Sequence, residues 1–203
     1  MGKVIYHTAV SLDGFVAGPN DSPENGLGDG GEKLHEWYFK GSVEIPTSDG
    51  QLILKVSPES ARVLQEVTGG IGAEIWGRRT FDFTQGWGGH PPLRPCFIVT
   101  HRAPQEWVRP DSPFIFVTDS VESAVRQAKA AAGGKDVAVA TASIFQQALA
   151  AGLVDEIHLS MVPVMLGGGV RMFGLLPGPP VDLEILRVAE APGVTHISYR
   201  VIK

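Results

Sequence analysis

From residue 73 to residue 162 the chain alternates short apolar runs with segments carrying helix-capping signals. This rhythm restricts the fold more than any other feature. Residues 96–100 (CFIVT), 114–118 (FIFVT) and 136–140 (DVAVA) are compact and apolar at both odd and even positions, as strands covered on two faces are. Residues 3–10 (KVIYHTAV), 73–76 (AEIW) and 156–162 (EIHLSMV) extend the set, the last closed by Pro163. Helix signals stand between them. Ser57-Pro58-Glu59 offers a cap, a proline at the first helical position and an acid at the positive end, and Gly69-Gly70 stops that helix. Asp119-Ser120-Val121-Glu122 opens a second helix that runs to Gly133-Gly134, and residues 143–151 form a third that stops at Gly152. Strands separated by helices must pair in parallel, because the crossover returns each strand in the same direction. Residues 181–189 and 194–202, joined through Ala191-Pro192-Gly193, read instead as a C-terminal antiparallel hairpin. The expectation is one α/β domain over residues 1–203, with about eight strands and four or five helices.

The chain has 25 Gly and 15 Pro, about a fifth of its 203 residues, yet 43% of the chain is hydrophobic. That is a globular composition with unusually glycine-rich loops. The surplus collects at 14–31, 86–95 and 163–169, and loops are where function concentrates. Residues 33–40 (KLHEWYFK) read as a short amphipathic helix and 80–85 as another. A net charge of -5 excludes the basic face that nucleic acid requires. No apolar run is long enough for a membrane span. Strand-like sequence begins at once, with no signal-peptide core, and Cys96 is the only cysteine, so the expected compartment is the cytoplasm. The six histidines lack metal-ligand spacing and no serine-nucleophile elbow occurs, so no metal site is expected. Residues 26–31 match G-x-G-x-x-G but follow no strand directly. They read as a chance match in a segment suited to be a lid over a site.

Two strand ends carry anion chemistry. Gly77-Arg78-Arg79-Thr80 turns from a buried strand into a helical segment, and Thr100-His101-Arg102 closes the next strand. In α/β sheets ligands bind at such ends, and Arg, hydroxyl and backbone N–H groups together suit phosphate. The bland reading of each is a solvated polar loop. Asp13, after the first strand, suits a proton donor, a substrate acceptor or a simple Asp-Gly turn. Gly167-Gly168-Gly169 lets backbone approach a ligand or a neighbouring strand.

Six segments together resemble the dihydrofolate-reductase-like superfamily, and within it stand-alone relatives of the reductase domain of bacterial bifunctional deaminase-reductases of riboflavin biosynthesis. They are VSLDGFVAG (10–18), GRRTFD (77–82), FIVTHR (97–102), AGLVDEIHL (151–159), PVMLGGG (163–169) with Met172-Phe173, and GVTHISYRV (193–201). The resemblance implies a three-layer fold: a central, mostly parallel sheet with helices on both faces, and NADPH across the strand ends. It maps the cofactor phosphates to Gly77, Arg78 and Thr80, and the adenosine 2′-phosphate side to Thr100, His101 and Arg102. Ala9, Val10, Asp13 and Ala17 would line the nicotinamide and substrate. Relatives carry Gly-Gly where this chain has Ala140-Thr141. Side chains there would crowd the diphosphate, unless Thr141 or Ser143, beyond Ala142, donates a hydroxyl. Glu32, His35 and Glu36 occupy the stretch where relatives place a substrate-binding carboxylate, and Asp13, His35 and Glu36 are the candidate catalytic groups. The implied activity is hydride transfer from NADPH to a C=N or C=O of a small pterin-, pyrimidine- or riboflavin-precursor-like substrate. The deaminase zinc motif is absent. A homodimer built on the C-terminal hairpin is expected, with no nucleic-acid or membrane partner. Ala140-Thr141 motivates the alternative, a ligand-binding homologue that kept the fold without turnover.

Overall fold

A computed structural model describes residues 2–47, 50, 52–174 and 179–203. In chain order the first half contains β1 (Val4–Ser11), β2 (Phe15–Ala17), β3 (Val43–Pro46), β4 (Ile53–Val56), α1 (Pro58–Thr68), β5 (Ile71–Gly77) and α2 (Arg78–Phe83). The second half contains β6 (Cys96–Val99), β7 (Phe114–Val117), α3 (Val121–Ala131), β8 (Asp136–Val139), α4 (Ala142–Ala150), β9 (Glu156–Val162), β10 (Val170–Arg171), β11 (Leu183–Ala191) and β12 (Val194–Val201).

Eight strands form one sheet in the order β11-β12-β9-β1-β8-β5-β6-β7. The six from β9 to β7 are parallel, and β12 and β11 run antiparallel at one edge. The reason lies in the alternation along each strand. Val4, Tyr6 and Val10 of β1 enter the core that α3 and α4 cover, while Ile5 and Ala9 face the other way. On the α3–α4 side, Tyr6 stacks on Phe145 with ring centroids 3.9 Å apart. On the other side, α1 packs Ala61 and Val67, and α2 packs Phe81 against Cys96 and Ile98. The caps act as their residues dictate. Ser57 Oγ accepts from the Ser60 N–H at 3.2 Å and Ser120 Oγ from the Ser123 N–H at 3.1 Å.

Four details depart from the sequence reading. Residues 33–40 do not form one helix but two 3-10 turns, Gly31–Leu34 and Glu36–Phe39, that break at His35. The helix read at 80–85 is α2, which starts and ends two residues earlier. The first strand of the C-terminal hairpin is displaced to 183–191, so the turn is Pro192-Gly193. Two small pairings were not legible: β3 with β4, and β10 with β2.

The α1 face of the sheet carries a polar layer. His7, His158 and Ser198 lie in one register row, and Ser160 and His196 in the next. His196 is bonded on both ring nitrogens, at 2.9 Å from Ser60 Oγ of α1 and 3.0 Å from Ser160 Oγ. His158 Nδ1 lies 2.9 Å from Ser198 Oγ. Burial drives the imidazoles of His7 and His196 down to about 4, and the neighbouring His158 adds to the effect at His7. Among the described residues, no helix is long and apolar enough to cross a membrane.

Candidate functional site

The C-terminal ends of β5, β6, β7 and β8 are neighbours in the sheet, and each delivers its following residues to one place. A cleft of about 470 Å³ opens there. Gly77, Arg78 and Arg79 line it after β5, Thr100, His101 and Arg102 after β6, Thr118, Asp119 and Ser120 after β7, and Ser143 and Gln147 from α4. Asp119 is the single carboxylate among these, against three arginines; Arg78 and Arg79 are ion-paired with Asp82 and Asp21, neither of which lines the cleft.

The wall is braced from within. Arg78 Nε donates to Asp82 Oδ1 at 2.7 Å, and its Nη1 donates to the Arg102 carbonyl at 2.7 Å and to Thr100 Oγ1 at 3.4 Å. Thr100 Oγ1 closes the same turn by donating to the Arg102 carbonyl at 3.0 Å. Arg78 therefore fixes the 100–102 turn, whose two outward side chains, His101 and Arg102, are exposed and have no polar partner among the described residues. These are the uncommitted donors of the cleft.

Thr141 has a partner of its own at the end of β5. The Thr141 hydroxyl turns away from α4, which no side chain caps, and accepts the Gly77 N–H at 3.1 Å. A Cβ on Gly77 would stand 3.0 Å from that oxygen, so glycine at 77 makes room for threonine at 141. The first-turn N–H groups of α4 have no intrahelical acceptor and emerge where Ser143 and Ile144 line the cleft. Strand-end cations, a free hydroxyl and an uncapped helix start fit an anionic dinucleotide.

The other expected residues are elsewhere. Ala9 and Val10 are buried in β1, Ala17 pairs with Val170, and the Ala140 N–H donates to the Ile75 carbonyl at 2.9 Å. Ala142 is buried in the first turn of α4, and the Thr80 carbonyl accepts from Thr84. Asp13 clasps the glycine loop. Its carboxylate accepts from Ser11 Oγ at 2.6 Å, from the Leu166 N–H at 3.1 Å and from the Gly167 N–H at 2.7 Å. The Ser11 hydrogen bond, then the Gly167 and Leu166 amides, hold this carboxyl below the usual carboxylate range. Around it β2 pairs with β10, and the Leu12 N–H donates to the Val164 carbonyl at 2.8 Å. His35 stacks on Tyr38, and burial lowers its pKa. Glu36 is exposed and ion-paired with Lys40, which keeps its carboxyl ionised. Among the described residues no hydrogen bond joins Asp13, His35 and Glu36.

Four groups are missing from the expected contacts, Arg79 among them although its segment was read as an anion site. Arg79 and Gln147 line the cleft, and Asp119-Ser120 lines it as well as capping α3. Asp21, in the 18–30 segment, bonds Arg79 at 2.7 Å. Gln147 had a readable signal, one helical turn beyond Ser143, and Asp119-Ser120 another, just beyond a buried strand, whereas nothing in the sequence marked Asp21.

Known proteins agree with this architecture. The structure of a candidate riboflavin biosynthesis protein from Shewanella sp. PV-4 superposes with a TM-score of 0.70 at 19% identity, covering 99% of both chains. RibD of Acinetobacter baumannii gives a TM-score of 0.63 at 17% identity. All of this chain matches 59% of that one. A dihydrofolate reductase from Enterococcus faecalis, solved with NADP(H), gives 0.57 at 14% identity over 100% of this chain and 98% of that one. No curated protein matches the sequence significantly. The family model of the RibD C-terminal domain matches residues 2–194, so the chain belongs to the RibD C-terminal domain family, on a dihydrofolate-reductase-like fold.

Proposed function

We propose that this chain is an NADPH-dependent reductase acting on a C=N or C=O of a small pterin-, pyrimidine- or riboflavin-precursor-like heterocycle. The observation that carries the proposal is the cation-rich cleft at four parallel strand ends of an acidic chain, with His101 and Arg102 uncommitted. Family membership and the reductase fold support it. When bound, the reduced nicotinamide supplies the hydride.

The chain's residues then have distinct tasks. Arg102 and His101 take the 2′-phosphate, and Ser143 with the first-turn amides of α4 takes the diphosphate. Arg78 positions the 100–102 turn, and Thr141 ties β5 to α4 through Gly77. Thr80, Ala9, Val10, Ala17, Ala140 and Ala142 shape the cofactor path. Asp13, ionised and clasping the Leu166-Gly167 backbone, holds the two loops at the nicotinamide end and offers the substrate a polar edge. His35, its pKa lowered from 6.5, is neutral at pH 7 and serves as a hydrogen-bonding group beside that end. Glu36 acts there through Lys40. A homodimer would cover β11, an edge strand whose Ile185 and Val188 are 64% and 60% exposed. A binding homologue without turnover draws its support from crowding at Thr141, and the Thr141–Gly77 hydrogen bond, which directs the hydroxyl to β5, favours the reductase reading over it.

The residue-level test is Arg102→Ala. One lost charge-assisted contact to phosphate should weaken NADPH binding about 10- to 100-fold. NADH, lacking that phosphate, should change by less than about threefold. Equal losses for both cofactors in a fluorescence titration would refute the assignment of Arg102.

A further inference from the structure

The segment from Gly18 to Gly30 is a flap with its own hydrogen bonds. The Gly18 N–H donates to the Leu27 carbonyl, the Asp29 N–H to the Pro19 carbonyl, and Ser22 and Asn25 bond each other reciprocally. The amides of Asn20 and Asn25 both donate to the Asp29 carboxylate, at 2.7 and 3.0 Å. None of these bonds reaches the cleft wall. Asp21 does: Arg79 Nη2 donates to its Oδ1 at 2.7 Å and to its carbonyl at 3.3 Å. Arg79 is also a lining residue of the cleft.

The two adjacent arginines differ in how firmly they are held. Arg78 has three acceptors within the wall itself. Arg79 is 62% exposed, lies 5.1 Å over the Phe83 ring and, among the described residues, has polar partners only on Asp21. Only the Arg79 side of this ion pair is open to solvent, since the Asp21 side chain is 15% exposed, and a phosphate group arriving in the cleft competes for the exposed guanidinium.

We infer that Asp21 is an internal counter-ion of Arg79, occupying the guanidinium until an anionic ligand enters the cleft, so that ligand binding and release of the flap are coupled. The inference rests on the dinucleotide reading for the identity of the anion. The competition itself requires only a phosphate-bearing ligand.

The test uses the intact chain, NADP+ and inorganic pyrophosphate as probes, and amide exchange over residues 19–28 as a readout independent of turnover. Asp21→Asn should tighten NADP+ binding by at least roughly two- to fivefold, the factor that even an exposed ion pair represents. Its flap should exchange fast without ligand. In the wild type, flap exchange should rise on adding either probe. Arg79→Gln should weaken binding, and its flap should exchange fast whatever is added. Slower flap exchange on ligand binding, or unchanged or weaker binding by Asp21→Asn, would overturn the inference. If pyrophosphate releases the flap while NADP+ does not bind, the counter-ion role stands and the dinucleotide reading falls. If neither probe binds, both fall.

Discussion

Lowering the pH from 7 to 4.5 should destabilise this protein steeply, before most of its aspartates protonate and with buried Glu74, whose carboxyl is held above 4.5, opposing only in part. His7 and His196 titrate near 4 in the folded chain, against an ordinary value of 6.5. Below pH 6.5 the unfolded chain takes up protons that the folded chain refuses, so stability present above 6.5 is lost progressively down to about 4. Each shift corresponds to about 3 kcal/mol, a large part of the roughly 5–15 kcal/mol that holds a domain folded. Burial also depresses His158 and His35, which act in the same direction. Asp13 and Asp155 are held below 3.8, and their contribution is lost only below that value, outside this window. The cause is local. His196 is enclosed beneath α1, 2% exposed and bonded only to the neutral hydroxyls of Ser60 and Ser160, so burial penalises its charged form with no carboxylate bonded to it to offset the cost. Urea midpoints across this range should fall, and His196→Asn, which keeps a donor and an acceptor but does not titrate, should flatten the curve by about half of the two-histidine effect. A midpoint constant from pH 7 to 4.5 would contradict the buried neutral layer.

The second large effect concerns the glycine triplet, whose members should behave differently. Gly169 has φ +117°, and a Cβ there would lie 2.1 Å from the Ala17 carbonyl oxygen and 2.5 Å from the Gly18 carbonyl carbon. Both obstacles are backbone and cannot rotate away. Gly169→Ala should therefore force β10 from β2, at a cost of at least about 3 kcal/mol. That is a fall in Tm of about 6–12 °C for a chain of this length. At Gly168 a methyl group would meet no atom within 4 Å, and φ is not positive, so Gly168→Ala should leave Tm within about 2 °C. Thermal unfolding followed by circular dichroism compares the two. Equal Tm values would mean that the loops are not packed as described.

The strands of the central sheet were legible because both alternating positions are apolar, a pattern that burial on two faces imposes. The β3–β4 pair was not, since its two four-residue strands alternate only weakly and contain Pro46. The break at His35 was also hidden, because KLHEWYFK has helical spacing while two 3-10 turns place Leu34 and Trp37 in the core equally well. In the site, Gly77, His101, Arg102 and Ser143 could be read because chain order places them just beyond buried strands. Arg79 could not be told from a solvated arginine, since its partner Asp21 is 58 residues away and only tertiary packing brings them together. Thr141 shows a different limit. Its identity suggested crowding of a phosphate, whereas the direction of its hydroxyl, toward the Gly77 N–H, was set by the neighbouring strand end.

The central claim is that the cation-rich cleft is a dinucleotide site, and direct titration with NADPH tests it. Trp76, Trp87 and Trp107 pack around Phe81 of α2, the helix that begins at the cleft wall, so tryptophan emission should report binding. The account predicts saturable quenching with a Kd of about 1–100 μM, within the usual range for enzyme ligands, and weaker binding by Arg102→Ala. No saturation up to millimolar NADPH would contradict it.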